Sequence, residues 1–194
     1  NDKYEYIIPE ITLDKNLLSD ENYGNLDLLS NYKVRNYDTN KVTNFLINEL
    51  NWTSKEFIHE SGIKSKFLGN FKNINYEAKN TKRFKEDPSS ELFGAFGYLA
   101  DLKLEKNVGT KKHFLKPKFF MRYAPGDMRK EKTGTRLNPL NAFQIDRLEP
   151  IHNFETGLSS TLGLDYEIKD NNKEFDFSIA QVINEKDNKK MSSE

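Results

Sequence analysis

Hydrophobic and polar positions in this chain alternate with a period of two over long stretches, the spacing that puts successive side chains on opposite faces of a β-strand. The clearest stretch runs from 154 to 167. There Phe154, Thr156, Leu158, Ser160, Leu162, Leu164 and Tyr166 share one phase, against Glu155, Gly157, Ser159, Thr161, Gly163, Asp165 and Glu167 on the other. Between 24 and 35, Leu26, Leu28, Tyr32 and Val34 oppose Asn25, Asp27, Asn31, Lys33 and Arg35, and only Leu29 and Ser30 break the pattern. Between 91 and 104, Leu92, Gly94, Phe96, Tyr98, Ala100, Leu102 and Leu104 share a side. Between 113 and 123, His113, Leu115, Phe119, Met121 and Tyr123 lie against Lys116, Lys118 and Arg122. Weaker alternation covers 3 to 13, 41 to 51, 55 to 67, 71 to 80 and 173 to 184, the last with Phe175, Phe177, Ile179 and Ile183 in phase. The pattern predicts roughly nine strands and no helix.

Strand length separates two classes. Strands of soluble domains usually run about 5 to 6 residues, whereas a tilted membrane-spanning strand needs about 9 to 11, and most of these stretches are of the longer kind. Connections give a second test, because outer-membrane barrels join strands by short turns on the periplasmic side and longer loops outside. The segments 14 to 23, 81 to 90 and 124 to 152 read as long connections rich in Asn, Asp, Lys, Gly and Pro. The segments 36 to 40, 68 to 70, 105 to 110 and 169 to 172 read as short ones, and only 52 to 54 is out of turn. Tyr4, Tyr6, Trp52, Tyr123, Phe154, Tyr166 and Phe175 fall near strand ends, as expected of rings at headgroup level, although aromatics flank soluble strands too. The expected fold class is therefore all-β, an antiparallel transmembrane β-barrel segment. The odd strand number, and the lack of a signal peptide or domain edge between Asn1 and the polar run from Lys186 to Glu194, lead to the expectation that residues 1–194 are part of one barrel domain.

Composition narrows the alternatives. Lys and Arg together number 30 and Asp and Glu 30, so net charge offers no case for a nucleic-acid partner. Hydrophobic residues are 36% of the chain and mean hydropathy is -0.82. No apolar run approaches the ~18 residues of a membrane helix. Membrane strands are not excluded, since only every second residue faces lipid. With no cysteine, the chain has no disulfide framework, no Cys-ligated metal and no thiol nucleophile.

Candidate chemistry is sparse. His59, His113 and His152 have no second ligand at a metal-binding spacing. His113 falls on the apolar phase of its strand, where an interfacial position is expected. The run from Asp170 to Lys173 has the composition of a calcium loop but lacks its Gly and bidentate Glu, and a tight turn explains it. The triplet Asn51, Trp52, Thr53 fits a glycosylation acceptor and is read as chance. Phosphate loops and nucleophile elbows are absent, so no enzyme and no cofactor are expected. Basic residues concentrate between Lys111 and Arg147. Lys116, Lys118 and Arg122 lie on the polar phase of one strand, and Arg129, Arg136 and Arg147 in the long connection. One reading makes Lys116, Lys118, Arg122, Asp146 and Arg147 the lining of a water-filled lumen or vestibule that meets lipid phosphates or acidic sugars. The other is a solvated polar face balanced by Asp127, Glu131, Asp146 and Glu149.

The stretch from His113 to Arg129, with Leu115, Pro117 and Lys118, is followed by the stretch from Asn138 to Arg147, with Asn141, Phe143, Asp146 and Arg147. Together they resemble the barrel region of the LptD (organic-solvent-tolerance) family of lipopolysaccharide-assembly proteins. In that family a strand with an L-x-P-K core precedes a long loop carrying N-x-F-x-x-D-R. The strand with Glu155, Gly157 and Gly163 is similar to the family's succeeding strand. The run from Ser178 to Gln181 is similar to its S-x-G-Q element, with Ala180 where glycine is usual. Ile8 to Ile11 is similar to an L-P-x-L/I opening, and Leu50, Asn51 and Trp52 look like the alphaproteobacterial branch. The resemblance implies a cell outer-membrane protein that inserts lipopolysaccharide into the outer leaflet. Its implied partners are the glycolipid, outer-membrane lipid, a plug lipoprotein filling the barrel, and periplasmic bridge proteins. The family's periplasmic jellyroll, its gate strands and its disulfide cysteines are not identifiable here. The competing functions are a porin-like channel, which the period alone equally fits, and a soluble all-β binding module, which would bury its apolar face on a second sheet.

Overall fold

The computed structural model describes residues 4–81, 84–128, 137–148, 152–170 and 173–185. Among these described residues are ten β-strands: β1 (Glu5–Asp20), β2 (Gly24–Tyr37), β3 (Val42–Thr53), β4 (Phe57–Ile58), β5 (Ile63–Lys79), β6 (Ser89–Leu102), β7 (Leu104–Val108), β8 (Lys111–Ala124), β9 (Gly157–Asp170) and β10 (Lys173–Asn184). All belong to one antiparallel sheet in the order β1-β2-β3-β5-β6-β8-β9-β10, with β4 pairing β5 and β7 pairing β8 at the ends of their neighbours. Each long strand therefore pairs with the next one along the chain. Among the described residues β1 and β10 pair on one side only, so the sheet is open.

The all-β antiparallel expectation holds, with ten strands rather than nine. Several of the expected connections are largely strand, among them 105–108, which lie in β7, and 52–53, which end β3. Residues 14–20 continue β1, leaving only 21–23 as the turn, and 68–70 lie inside the unbroken β5. Gly69 and Asn70 read as a turn signal, but Gly69 pairs with Trp52, and a Cβ there would lie 3.3 Å from the indole. The glycine makes room for the ring. The actual turn before β5 ends on Gly62, with φ +82°, a backbone setting that glycine adopts without strain. With these corrections the turns 21–23, 59–62 and 109–110 lie at one rim, while 38–41, 80–88 and 125–156 lie at the other. The connection within Asp170–Lys173 falls on residues 171 and 172, outside the described residues.

Residues paired across an antiparallel ladder share a face, so the register sorts the side chains. On one face lie Leu26, Leu28 and Tyr32 of β2, Leu46, Leu50 and Trp52 of β3, and Phe67 and Phe71 of β5. That face continues through Phe96 and Tyr98 of β6, Phe119, Met121 and Tyr123 of β8, Leu158, Leu162 and Leu164 of β9, and Phe177 and Ile179 of β10. This face, called outer below, stays uncovered: Phe96 is 52% exposed, Leu162 51% and Ile179 55%. Over the middle strands the opposite, inner face is covered by the connection between β8 and β9 folding back over it, while β1 and most of β10 stay exposed. There Phe45, Ile47, Ile74 and Tyr76 form one buried cluster with Phe84 and Phe93 against it. Ala95, Ala124 and Phe154 form another with Phe93 and Ile145.

Phe154 corrects the reading that placed it at a headgroup-level girdle. Strand β9 begins only at Gly157, whose φ of +107° breaks the alternation, and the Phe154 ring turns inward to stack on Phe93 at 5.6 Å. Trp52, Tyr123, Tyr166 and Phe175 keep their places near strand ends on the outer face.

Candidate functional site

The inner face collects the chain's buried charges. Arg122 points inward from β8 and is 1% exposed. Its Nε–H donates to the Ile145 carbonyl at 2.5 Å and one terminal N–H to the Glu155 carbonyl at 2.6 Å. The guanidinium also lies 5.2 Å from the Phe154 ring centre. One strand side chain thus holds two points of the returning connection ten residues apart.

Arg147 is fixed by Glu155 in a two-point contact, Nε to Oε2 at 2.5 Å and Nη2 to Oε1 at 2.9 Å, and donates further to Ser159 Oγ at 3.0 Å. Thr161 Oγ donates to the Ala142 carbonyl at 3.2 Å. The polar phase of β9, Ser159 and Thr161, therefore serves as the loop's docking rail. Asp146 meets Lys72 of β5, which is fully buried and lies 3.4 Å from Glu49 of β3. Burial pushes the Asp146 carboxyl above its ordinary range, and the Lys72 ammonium pulls it back. Lys72, Arg122 and Arg147 thus face Glu49, Asp146 and Glu155, a charge-balanced set. Removing water from such groups is costly unless each is paired.

Local sequence explains the loop's seat. Asn138 Oδ1 accepts from the backbone N–H of Leu140 at 2.8 Å and of Asn141 at 3.1 Å, a side-chain-closed turn. Phe143 then lies over Gly163 of β9, where a Cβ would stand 2.5 Å from the ring, and Lys118 Nζ sits 4.4 Å from its centre. Gly163→Ala is expected to lower unfolding stability by about 1–3 kcal/mol through overpacking. An unchanged midpoint in a denaturant titration would show that Phe143 does not dock there.

All five residues proposed to line a lumen lie on the inner face or in the loop that covers it, yet they do not form one free cationic surface. Lys116 pairs with Asp101 at 3.4 Å and Lys118 with Asp165 at 2.7 Å, toward the short-turn rim. Arg122, Asp146 and Arg147 are consumed in the buried network. Among the described residues the balancing carboxylates are Asp101, Asp165 and Glu155, with Asp146, one of the loop acids named above, on Lys72. Arg129, Arg136, Glu131 and Glu149 lie outside the described residues. Sequence reading missed Glu49, Lys72 and Glu155. A cue existed for Lys72, a lysine in the same phase as Ile74, Tyr76 and Ala78.

The histidines are separate. His59 Nε2 contacts Ser65 Oγ at 3.0 Å, His113 Nδ1 contacts the Tyr166 hydroxyl at 2.7 Å, and His152 stacks on Phe45 at 5.0 Å. Glu167, Glu174 and Asp176 bring carboxylate oxygens within 4.8 Å of one another, a trio the sequence did not suggest, and Lys169 bonds two of them. No protein-family model matches the chain, and no curated protein matches it.

Proposed function

We propose that this chain is a wall segment of an outer-membrane β-barrel that delivers lipopolysaccharide to the outer leaflet. The observation that supports the barrel reading is the inversion of polarity across the sheet. The uncovered outer face is apolar over most of its extent, while the inner face buries Lys72, Arg122, Arg147 and their carboxylates. A soluble sheet packs its apolar face inward; a transmembrane barrel turns it to lipid and keeps its interior polar.

Dimensions agree. A strand of 14 residues such as β8, at ~3.4 Å per residue and a tilt of ~40°, rises about 36 Å, enough to cross an apolar band ~25 Å tall. The turns 21–23, 59–62 and 109–110 would face the periplasm, and the 80–88 and 125–156 connections the exterior. Lipopolysaccharide as the cargo rests on the likeness of Leu115, Pro117, Lys118, Asn141, Phe143, Asp146 and Arg147 to the LptD pattern. The last four also carry the turn and contacts that seat the loop. In this reading the protein performs no covalent step. Its backbone hydrogen bonds are satisfied within lipid, and its polar interior lowers the cost of moving a sugar-bearing headgroup. A plug lipoprotein and periplasmic bridge proteins are the proposed partners.

The test is fractionation of the full-length protein with single cysteines introduced at Glu86 and Glu21, on opposite rims. A membrane-impermeant maleimide is expected to label Glu86→Cys on intact cells and Glu21→Cys only after the outer membrane is opened. Recovery in the soluble fraction would remove the barrel reading. Depletion that leaves surface lipopolysaccharide unchanged, with the barrel in place, would remove the cargo and favour a porin-like channel.

A further inference from the structure

Lys72 carries two carboxylates at once. It contacts Asp146 of the returning connection and lies 3.4 Å from Glu49 of β3, at the point where the connection seats on the inner face. The two acids are served unequally. Glu49 Oε1 also accepts from the side-chain amides of Asn51 at 3.2 Å and Asn70 at 2.5 Å. Asp146 Oδ1 is buried with no donor among the described residues, and so is Oδ1 of Asn70. The cluster therefore holds two buried acceptors with no donor to fill them. A proton on Asp146 turns an acceptor into a donor and removes the repulsion between two carboxylates that share one ammonium.

We propose that the connection between β8 and β9 is an acid-tightened plug, which takes up a proton at Asp146 as it seats on Lys72 and Glu49. Asp146 faces Glu49 from β3, Lys72 from β5 and Arg122 from β8, while its neighbour Arg147 is held by Glu155. Burial pushes the Asp146 carboxyl up, Lys72 pulls it down, Glu49 pushes it up again and Arg122 pulls it down, and the balance lies above the ordinary carboxylate range. When the connection lifts off, Asp146 enters water and returns to that range. The seated state thus binds the proton more tightly than the released one. Seating therefore strengthens as pH falls through the raised value, and the gain stops growing below the ordinary one. The sign is opposite to that of a simple salt bridge, whose carboxylate is held low and which acid breaks.

The inference goes beyond the transport reading and stands without it; in a barrel it means that the exterior mouth closes more firmly in acid. The test is hydrogen–deuterium exchange of the full-length protein in detergent micelles, read by mass spectrometry over residues 137–148 and corrected for the pH dependence of intrinsic exchange. From about pH 8 to about pH 5 the protection factor is expected to rise, by at most about tenfold per pH unit for one proton. Asp146→Asn, a neutral mimic of the protonated acid, is expected to show the high protection throughout and a flat profile. Glu49→Gln removes the like charge and should shrink the rise, which keeps the test valid if Asp146→Asn fails to fold. Glu86→Gln, in the other exterior connection, should keep the wild-type profile. Wild-type protection that stays flat or falls in acid would overturn the proposal. A fall is the sign expected if His152, 2% exposed against Phe45 and Phe84, took up a charge in the seat. Loss of protection in Asp146→Asn at neutral pH would make the Lys72 contact an ordinary salt bridge and overturn it equally.

Discussion

Arg147→Ala is expected to lower the free energy of unfolding by about 3–5 kcal/mol, the cost of stranding a buried partner charge. Glu155 would lose both of its guanidinium contacts at a site where it is 2% exposed, and Ser159 would lose its donor. The pair as a whole need not be stabilising, because desolvation of both ions offsets much of their attraction. Replacing both, as Arg147→Met with Glu155→Leu, is therefore expected to recover most of the loss. Urea or guanidinium titrations of the refolded protein measure both variants. A loss below about 1 kcal/mol, the level of an exposed ion pair, would mean that the loop is not seated on β9 in solution.

Leu162→Lys is expected to separate the membrane reading from a soluble one. Leu162 is 51% exposed on the outer face, between Phe119 and Gln181 on the neighbouring strands. On a soluble surface such a change stays within about 0.5 kcal/mol. Facing hydrocarbon it costs about 2–4 kcal/mol near the bilayer midplane, falling toward the interfaces. Unfolding from lipid vesicles should show the larger figure, while Thr161, one position away, faces the loop and reports a different environment. A neutral Leu162→Lys in vesicles would indicate that the outer face does not meet lipid.

Much of the sheet was legible because period two is a local signal that burial on either side leaves intact. The outer phase of β2, β6, β8 and β9 was read correctly residue by residue. Errors came where one residue type has two physical uses. Gly69 resembled a turn glycine and is a packing glycine under Trp52. Phe154 continued the alternation of β9 in sequence, but Gly157 changes the backbone path before the strand begins. The site was legible only in part. Lys116, Lys118 and Arg122 could be assigned to the inner phase because they sit on a strand. Asp146 and Arg147 lie in an aperiodic connection, so nothing in their spacing revealed that Lys72 and Glu155 would be their partners. Those contacts exist because the connection returns to the sheet, a long-range event with no local signature.

The strand order carries a consequence for how the sheet assembles. Because every long strand pairs with its successor, the sheet can grow by successive hairpins, and most closures cost little chain entropy. The connection between β8 and β9 is the exception. Closure cost rises by about 0.6 kcal/mol per doubling of loop length, so a span about three doublings longer than the 38–41 turn adds about 2 kcal/mol. That is the scale of burying one large apolar side chain, so Phe154 and Ile145, packed against Ala95, Ala124 and Phe93, offset the closure cost of the hairpin they cover. The kinetic expectation is that β8 and β9 zip late, after the loop's charges have found their partners.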